Sequence, residues 1–261
     1  MIGAVLGVVA YWLGIRRRVA LDNLARAFPT LNARERRRLA RAAYAQLGRS
    51  LVELWQVRRM SDVELERRVR FEGWDRYLRA RAAGRGVVFA VAHFGNWELL
   101  ARAGVRRGMP VTAITRRLTG AFNEKLLEAR REGGMRELPD KGSTQAALAL
   151  LRRGETLAIV VDQNMRPRRG IFVDFFGAPA CTTPAAAVLS LRAGAPLLAA
   201  FPVRQPDGSH VVKMEGPFET SLTGHAAVHD LTQKVTRAVE DAVRAHPDHW
   251  FWVHRRWKTR P

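Results

Sequence analysis

The chain has 261 residues, 47% of them apolar, and carries 44 basic against 24 acidic side chains, a formal net charge of +20. This length supports one large α/β domain with its own core, and the apolar fraction excludes a disordered chain. The basic excess calls for an anionic partner such as nucleic acid, an anionic membrane surface, or an acidic protein or substrate, while the single cysteine, Cys181, excludes an intrachain disulfide and a cysteine metal cage. Only five of the basic residues are lysine. A GC-rich genome would explain arginine over lysine, but not the excess of base over acid.

Residues 1–15, MIGAVLGVVAYWLGI, are apolar up to Arg16, Arg17 and Arg18. A spanning helix needs about 20 apolar residues, and a signal peptide carries its positive charges before the apolar run rather than after it. The stretch therefore reads as a shallow membrane anchor or the stub of a longer span, with its arginines on the cytoplasmic side. A buried core helix is the alternative. Residues 16–58 look helical with one break at Phe28-Pro29-Thr30. The helix expected over 33–57 has Leu39, Ala43, Leu47, Leu51, Leu54 and Trp55 at helical spacing and Arg34, Arg36, Arg37, Arg38, Arg41 and Arg49 on its other face. Such a basic amphipathic helix suits a membrane surface, or simply a solvated face. Ser61 with Glu64 fits a capping box that opens a short helix.

From residue 84 the pattern alternates. Apolar strand-like runs at 87–92, 110–114, 156–161 and 196–203 are separated by helical stretches near 95–104, 121–132, 143–152 and 183–193, with a last helix near 226–245. This order predicts a single α/β domain with a largely parallel central sheet flanked by helices. No internal repeat or low-complexity linker interrupts it.

The most informative stretch is VVFAVAHFGNWE, residues 87–98. Buried parallel strands read as continuous apolar runs, and α/β active sites gather at strand carboxyl ends. His93 falls at that end, Gly95 permits a tight turn, and Asn96 caps the next helix. Glu98 follows in the first helical turn, where it can turn back toward the imidazole. A carboxylate beside a histidine fixes its tautomer and stabilises the imidazolium, making a base that activates a hydroxyl. The bland alternative is a histidine at a helix start, with Glu98 favoured by the helix dipole.

A second polar cluster, Asp162-Gln163-Asn164, ends the run TLAIVV, which suggests one site shared by two strand ends. Turn chemistry alone would also put Asp and Asn there. Arg116 and Arg117 follow the run VTAIT, where arginine can bind phosphate or carboxylate. Thr182-Thr183-Pro184 looks like a helix start. The tail HWFWVHRRWKTRP interleaves tryptophans with Arg255, Arg256, Lys258 and Arg260, a composition suited to a membrane interface or nucleic acid. His225 and His229 are four apart but lack a further metal ligand, and nothing in the sequence activates Cys181. There is no GxGxxG, P-loop, GxSxG or HExxH.

Taken together, RRRVALDNLARAFP (16–29), HFGNWE (93–98), TRRLTGAFNEKLLEARREGG (115–134), VDQN (161–164), VDFFGAPACTTP (173–184) and WFWVHRRWKTRP (250–261) resemble the lipid A biosynthesis lauroyl/myristoyl acyltransferase family of the lysophospholipid acyltransferase superfamily. The resemblance covers the chain from about Arg16 to its end. It implies a glycerolipid-acyltransferase-like α/β domain over 16–261, preceded by N-terminal membrane-associated helices, on the cytoplasmic face of a bacterial inner membrane. It implies His93 and Glu98 as a His-x4-Asp/Glu catalytic dyad, Arg116 at the polar head of the acceptor, and Asp162 and Gln163 near it. Asn164, Thr183 and Arg204 are further expected at the substrate, and Gly95 and Asn96 at the oxyanion-binding turn. The donor would be an acyl thioester on acyl carrier protein or coenzyme A, and the acceptor an anionic glycolipid, a lipid A precursor. No metal, cofactor or nucleic acid would be needed. Relatives with similar motifs acylate other glycolipids, so another glycolipid or a lysophospholipid is the alternative acceptor. A non-catalytic basic binder of membrane or nucleic acid is the remoter alternative. Family members begin with a full spanning helix, and the fifteen residues before Arg16 fall short of one.

Overall fold

The computed structural model of the chain describes residues 1–57, 59–115 and 120–261, and for 121–123 the backbone only. Arg116 and Arg117 thus lie outside the described residues.

The N-terminal part is helical: α1 (Ile2–Trp12), α2 (Arg17–Ala27) and α3 (Ala33–Val57). Gly3 and Gly7 let α1 lie directly on α3. A Cβ at Gly7 would sit 1.9 Å from the Tyr44 carbonyl oxygen, and one at Gly48 would sit 2.0 Å from that of Gly3. Small residues four apart permit this close backbone approach. Tyr11 completes the seam, stacked edge-on against Tyr44. Residues 2–12 are therefore packed onto α3. Among the described residues, no helix is long and apolar enough to cross a membrane. The outer side of residues 1–15 is apolar and exposed at Ile2, Val5, Leu6, Val9, Trp12 and Leu13.

The helix α4 (Asp62–Arg68) opens as its sequence requires, with the Ser61 hydroxyl accepting from the Glu64 amide at 3.2 Å. The rest of the chain alternates around a central sheet: β1 (Val69–Glu72), α5 (Trp74–Ala82), β2 (Val87–Val91), α6 (Trp97–Arg106), β3 (Val111–Thr115), α7 (Ala121–Glu132), β4 (Arg136–Pro139), α8 (Thr144–Arg152), β5 (Thr156–Val160), the hairpin β6 (Ile171–Phe175) and β7 (Ala178–Thr182), α9 (Ala185–Ala193), β8 (Leu197–Arg204), β9 (His210–Glu215) and α10 (Gly224–Ala245). Strand order is β1-β9-β8-β2-β5-β3-β4. β2, β3, β4, β5 and β8 run parallel, whereas β9 pairs antiparallel with β8 and carries β1 with it at the edge.

Two apolar cores cover the two faces. One joins the N-terminal helices, α8, α9, α10 and the C-terminal tryptophans to the sheet. The other lies under α5 and α6, with Tyr77, Phe89, Leu99 and Met214 among its members. The parallel arrangement sends the carboxyl ends of β2, β3, β5 and β8 to one edge of the sheet, and the segments that follow β2 and β5 meet there.

Candidate active site

His93 stands two residues past the end of β2, on backbone whose path Gly95 makes possible. Gly95 adopts φ +56°, and a Cβ there would lie 1.8 Å from the Pro202 carbonyl oxygen. Asn96 then caps α6, its Oδ1 accepting from the Leu99 amide at 3.0 Å.

The carboxylate that meets His93 comes from the end of β5. Asp162 Oδ1 lies 2.9 Å from His93 Nδ1. The other oxygen, Oδ2, accepts from the His93 amide at 2.8 Å and from the Trp250 indole N–H at 2.8 Å. Asp162 is buried. Burial pushes its carboxyl up, but the charge and hydrogen bonds of His93 and the indole of Trp250 more than offset this and hold it below the usual carboxylate range. An ionised Asp162 fixes the Nδ1–H tautomer, which leaves the Nε2 lone pair free to take a proton. Gln163 Nε2, 3.3 Å from His93 Nε2, is then the donor to that lone pair.

Glu98 is not the partner that its spacing suggests. Its carboxylate receives Arg130 at 2.5 and 2.9 Å and the indole of Trp97 at 3.0 Å. Arg130 also reaches Glu137 at 3.1 Å. The helical geometry explains the correction. Glu98 lies on α6 beyond the Asn96 cap, on the side facing α7, so it ties those two helices rather than orienting the imidazole.

Arg204 is likewise turned away from the substrate role expected for it. Its guanidinium grips the Glu53 carboxylate of α3, with Nη2 at 2.5 Å, and Nε bonds Gln46 Oε1 at 3.1 Å. Asn96 Nδ2 donates to the same Glu53 at 2.7 Å. Burial raises the Glu53 carboxyl, but Arg204 and Asn96 bring it below its ordinary value. This buried network locks α3 to the turn after β2. Asn96 is thus held by structure, and the Gly95 amide is committed to the His249 carbonyl at 2.8 Å. The amides of Trp97 and Glu98, in the first turn of α6, are the donors that a helix N-terminus offers at this place.

Asn164 is also used internally. It bonds the Met165 carbonyl and Thr259, and its amide donates to His254 Nε2 at 2.9 Å. Thr183 precedes Pro184, the N-cap of α9, and its hydroxyl accepts from the Ala185 amide at 3.3 Å. The C-terminal tryptophans, expected at an interface, are buried: Trp250 is 3% exposed and Trp252 1%. Trp250 is the site residue that the sequence reading missed, since nothing local to a tryptophan signals the carboxylate it will meet 88 positions away.

Below His93 opens a cavity of about 110 Å³ between the sheet and α6. Its walls are mostly apolar: Val91, Phe89, Ala113, Val111, Ala158, Val160, Leu100 and Ala200, with Met109 and Met135 deeper in, Met214 level with Val91, Trp97 near the histidine, and the paired Glu98 and Arg130 also in the lining. From Val160 to Thr156 the lining follows the five residues of β5, a depth of roughly 13 Å at strand rise. Such a slot accepts a linear hydrocarbon, with an oriented imidazole at one end.

A sequence model described as "Bacterial lipid A biosynthesis acyltransferase" matches residues 1–259. The chain is 28% identical over its whole length to a lipid A biosynthesis palmitoleoyltransferase of Escherichia coli strain K12, covering 85% of that protein. It is 26% identical to a lipid A biosynthesis lauroyltransferase of the same strain, with the same coverage of both. It is also 26% identical over 90% of its length to a phosphatidylinositol mannoside acyltransferase of Mycobacterium tuberculosis, covering 75% of that relative. With its mostly parallel sheet, its histidine at a strand end and this full-length match, the chain is an acyltransferase belonging to the bacterial lipid A biosynthesis acyltransferase family.

Proposed function

We propose that the protein transfers a fatty acyl chain from a thioester, on acyl carrier protein or coenzyme A, to a hydroxyl of a lipid A precursor, with His93 as general base and Asp162 as its carboxylate partner. The observation that carries this reading is the Asp162-held imidazole at the mouth of the long apolar cavity. The acyl chain fills the slot and brings the thioester carbonyl to His93. His93 Nε2 takes the proton of the acceptor hydroxyl, and the oxygen attacks the carbonyl carbon. Amides at the start of α6 receive the oxyanion. The C–S bond then breaks, and the leaving thiolate takes the proton from the imidazolium. Asp162 stabilises that cation throughout and keeps the imidazole oriented. No acyl-enzyme, metal or cofactor enters this scheme.

The site works at the cytoplasmic face of the bacterial inner membrane. The exposed apolar side of residues 1–15 supports docking at the lipid surface. Exposed Arg34, Arg37, Arg38 and Arg41 of α3 support attraction to anionic headgroups.

The test is mass spectrometry of lipids from a bacterium lacking its own late lipid A acyltransferases, with and without this protein. One added acyl chain on lipid A is the expected result. A new acylated glycolipid elsewhere would keep the chemistry and move the acceptor, in line with the similarity to a phosphatidylinositol mannoside acyltransferase. No new lipid from well-expressed wild type, and none on purified protein with both thioesters, would overturn the reading.

A further inference from the structure

The segment after α10 crosses the carboxyl ends of β2 and β5 and bonds to both. The Phe251 amide donates to the His93 carbonyl at 3.0 Å, Trp250 pairs with Phe94, and Thr259 N–H donates to Asn164 Oδ1 at 2.9 Å. On the outer side Asn23 of α2 holds this segment, donating to the Trp252 and His254 carbonyls at 2.7 and 2.6 Å. The two loops that carry the base and its carboxylate are thus fixed to each other through a third piece of chain.

Within that piece lies a buried cation that no structural ion pair accounts for. Arg256 is 1% exposed. Its Nη1 donates to the Cys181 carbonyl at 3.0 Å and the Gln163 carbonyl at 3.4 Å, and Nη2 meets the Thr182 hydroxyl. Its Nε–H finds no acceptor among the described residues, and no carboxylate there lies within ion-pair distance of it. A buried guanidinium held by neutral acceptors and the Phe175 ring, 5.3 Å from its carbon, remains costly unless a nearby negative charge compensates it. That charge is Asp162, whose attraction opposes the burial that lowers Arg256 to about 10. The two are complementary: one buried anion and one buried cation, joined through the Gln163 carbonyl next to Asp162 in the chain. The other groups that act here are His93 itself and His254, the latter lowered by burial to about 4 and so neutral at neutral pH, with Arg16 at longer range. The Cys181 thiol is raised by burial and stays neutral. Arg256 is therefore the buried permanent positive charge among them.

We propose that Trp250 and Arg256 are positioning residues of the acyl transfer: Trp250 holds one oxygen of Asp162 so that the other faces His93, and Arg256, bonded to the Gln163 carbonyl, fixes the backbone that carries Asp162 and adds a buried positive charge behind it. The inference rests on the reading of His93 as the base. Neither residue touches the substrate. They act on kcat and on the protonation of the pair, not on binding.

The variants are Trp250→Phe, which keeps the ring and removes one hydrogen bond, and Arg256→Gln with Arg256→Lys as its conservative counterpart. Turnover is measured with dodecanoyl thioesters of both carriers and a lipid A precursor, from low to high pH. The low-field proton resonance of the His93 Nδ1–H, identified by its loss in His93→Gln, is recorded for each. Losing a hydrogen bond to a charged group should lower kcat of Trp250→Phe about tenfold, with KM within about twofold. Its low-field resonance should broaden or move upfield. In Arg256→Gln the acid limb of the rate profile should move to higher pH, because removing a positive charge eases protonation of the pair, and Arg256→Lys should restore part of the shift. Folded variants with wild-type kcat, profile and resonance, or with changes in KM alone, would overturn the proposal. If Arg256→Gln does not fold, Trp250→Phe decides it. If the wild type itself turns over neither thioester, the functional reading falls, and the resonance in Trp250→Phe still judges the positioning.

Discussion

His93 Nδ1 meets Asp162 Oδ1 at 2.9 Å, across 69 residues of sequence. The nearer carboxylate in sequence, Glu98, faces Arg130 instead. This division of labour separates two acidic residues whose removal should have different consequences. Asp162→Asn keeps the shape but offers an amide where the imidazole needs an anion, so the wrong tautomer is favoured. We expect kcat to fall by about 10³ to 10⁴, as for loss of a triad carboxylate, with the fold retained. Initial rates on a thioester and a lipid acceptor provide the check. A rate within tenfold of wild type would remove Asp162 from the mechanism.

The Glu98–Arg130 pair should show itself as coupling in stability. Both side chains are largely buried, at 13% and 16% exposure. Removing one partner leaves a poorly solvated charge, a loss of roughly 3 kcal/mol or more in such settings. Glu98→Gln and Arg130→Met should each lower the unfolding free energy. The double variant should lose less than the sum, with a coupling of at least about 1 kcal/mol in denaturant titrations. Additive losses would mean that the contact contributes nothing.

Much of this was legible in the chain. The strands β2, β3, β5 and β8 and the long helices α3 and α10 are marked by apolar runs and helical periodicity, which are local signals. The edge strands β1 and β4 and their six-residue neighbour β9 are short and partly polar, and the β6–β7 hairpin lies off the main sheet, so neither period stands out. His93 was visible because a polar residue ending an apolar strand is locally conspicuous. The partnership with Asp162 was not, although both clusters had been marked, because pairing across the sheet depends on strand order. A spacing of five residues makes Glu98 the easier partner to expect, and the Arg130 that occupies it comes from another helix. Arg204 failed as a substrate residue for the same reason: its carboxylate, Glu53, is 151 positions away. Arg116 lies outside the described residues.

Acid should destabilise the fold before it titrates ordinary carboxylates. His210 is buried, its ring nitrogens lack hydrogen-bond partners among the described residues, and burial and Arg204 lower it from 6.5 to about 4. The unfolded chain binds this proton more readily, so stability is complete above pH 6.5 and falls as pH drops toward 4. The loss is roughly 3 kcal/mol for such a shift. Below that, Asp162 and Glu53, both depressed, extend the decline through pH 4 and lower. His210→Leu should reduce the slope of the upper part of the profile while leaving the lower part, the remaining slope coming from His254, which burial also lowers to about 4. Unfolding free energies at pH 7, 5.5 and 4.5 test this, and an unchanged slope in His210→Leu would refute it.

The exposed apolar side of α1 and the turn after it should govern attachment to lipid. Burying one Leu or Val side chain in a bilayer interface contributes about 1.5 kcal/mol. Replacing Leu6 and Val9 together by Asp should therefore weaken partitioning to anionic vesicles by at least tenfold. Both residues point away from α3, so thermal stability should be kept. Sedimentation with phosphatidylglycerol-containing vesicles measures it, and equal binding by the variant would show that another surface carries the attachment.

The cavity under His93 should decide which acyl chains are transferred. Ala158 lies halfway down its β5 wall, and Gly104 and Met109 lie toward its floor, where a Cβ on Gly104 would already be 3.4 Å from the Met109 sulfur. Ala158→Phe places a ring across the slot, so long chains can no longer extend while short ones still reach the thioester position. Met109→Ala removes side-chain volume at the far end and makes room for a longer chain. Given an equimolar mixture of thioesters from eight to sixteen carbons, the product of Ala158→Phe should move to shorter chains and that of Met109→Ala to longer ones. Each added or excluded methylene pair is worth about 1.6 kcal/mol of burial, or more than tenfold in preference. The shift should appear in the ratio of kcat/KM values between chains, because the reacting groups are untouched and only the fit of the hydrocarbon changes. If both variants keep the wild-type product distribution, the chain lies elsewhere and the cavity is not its site.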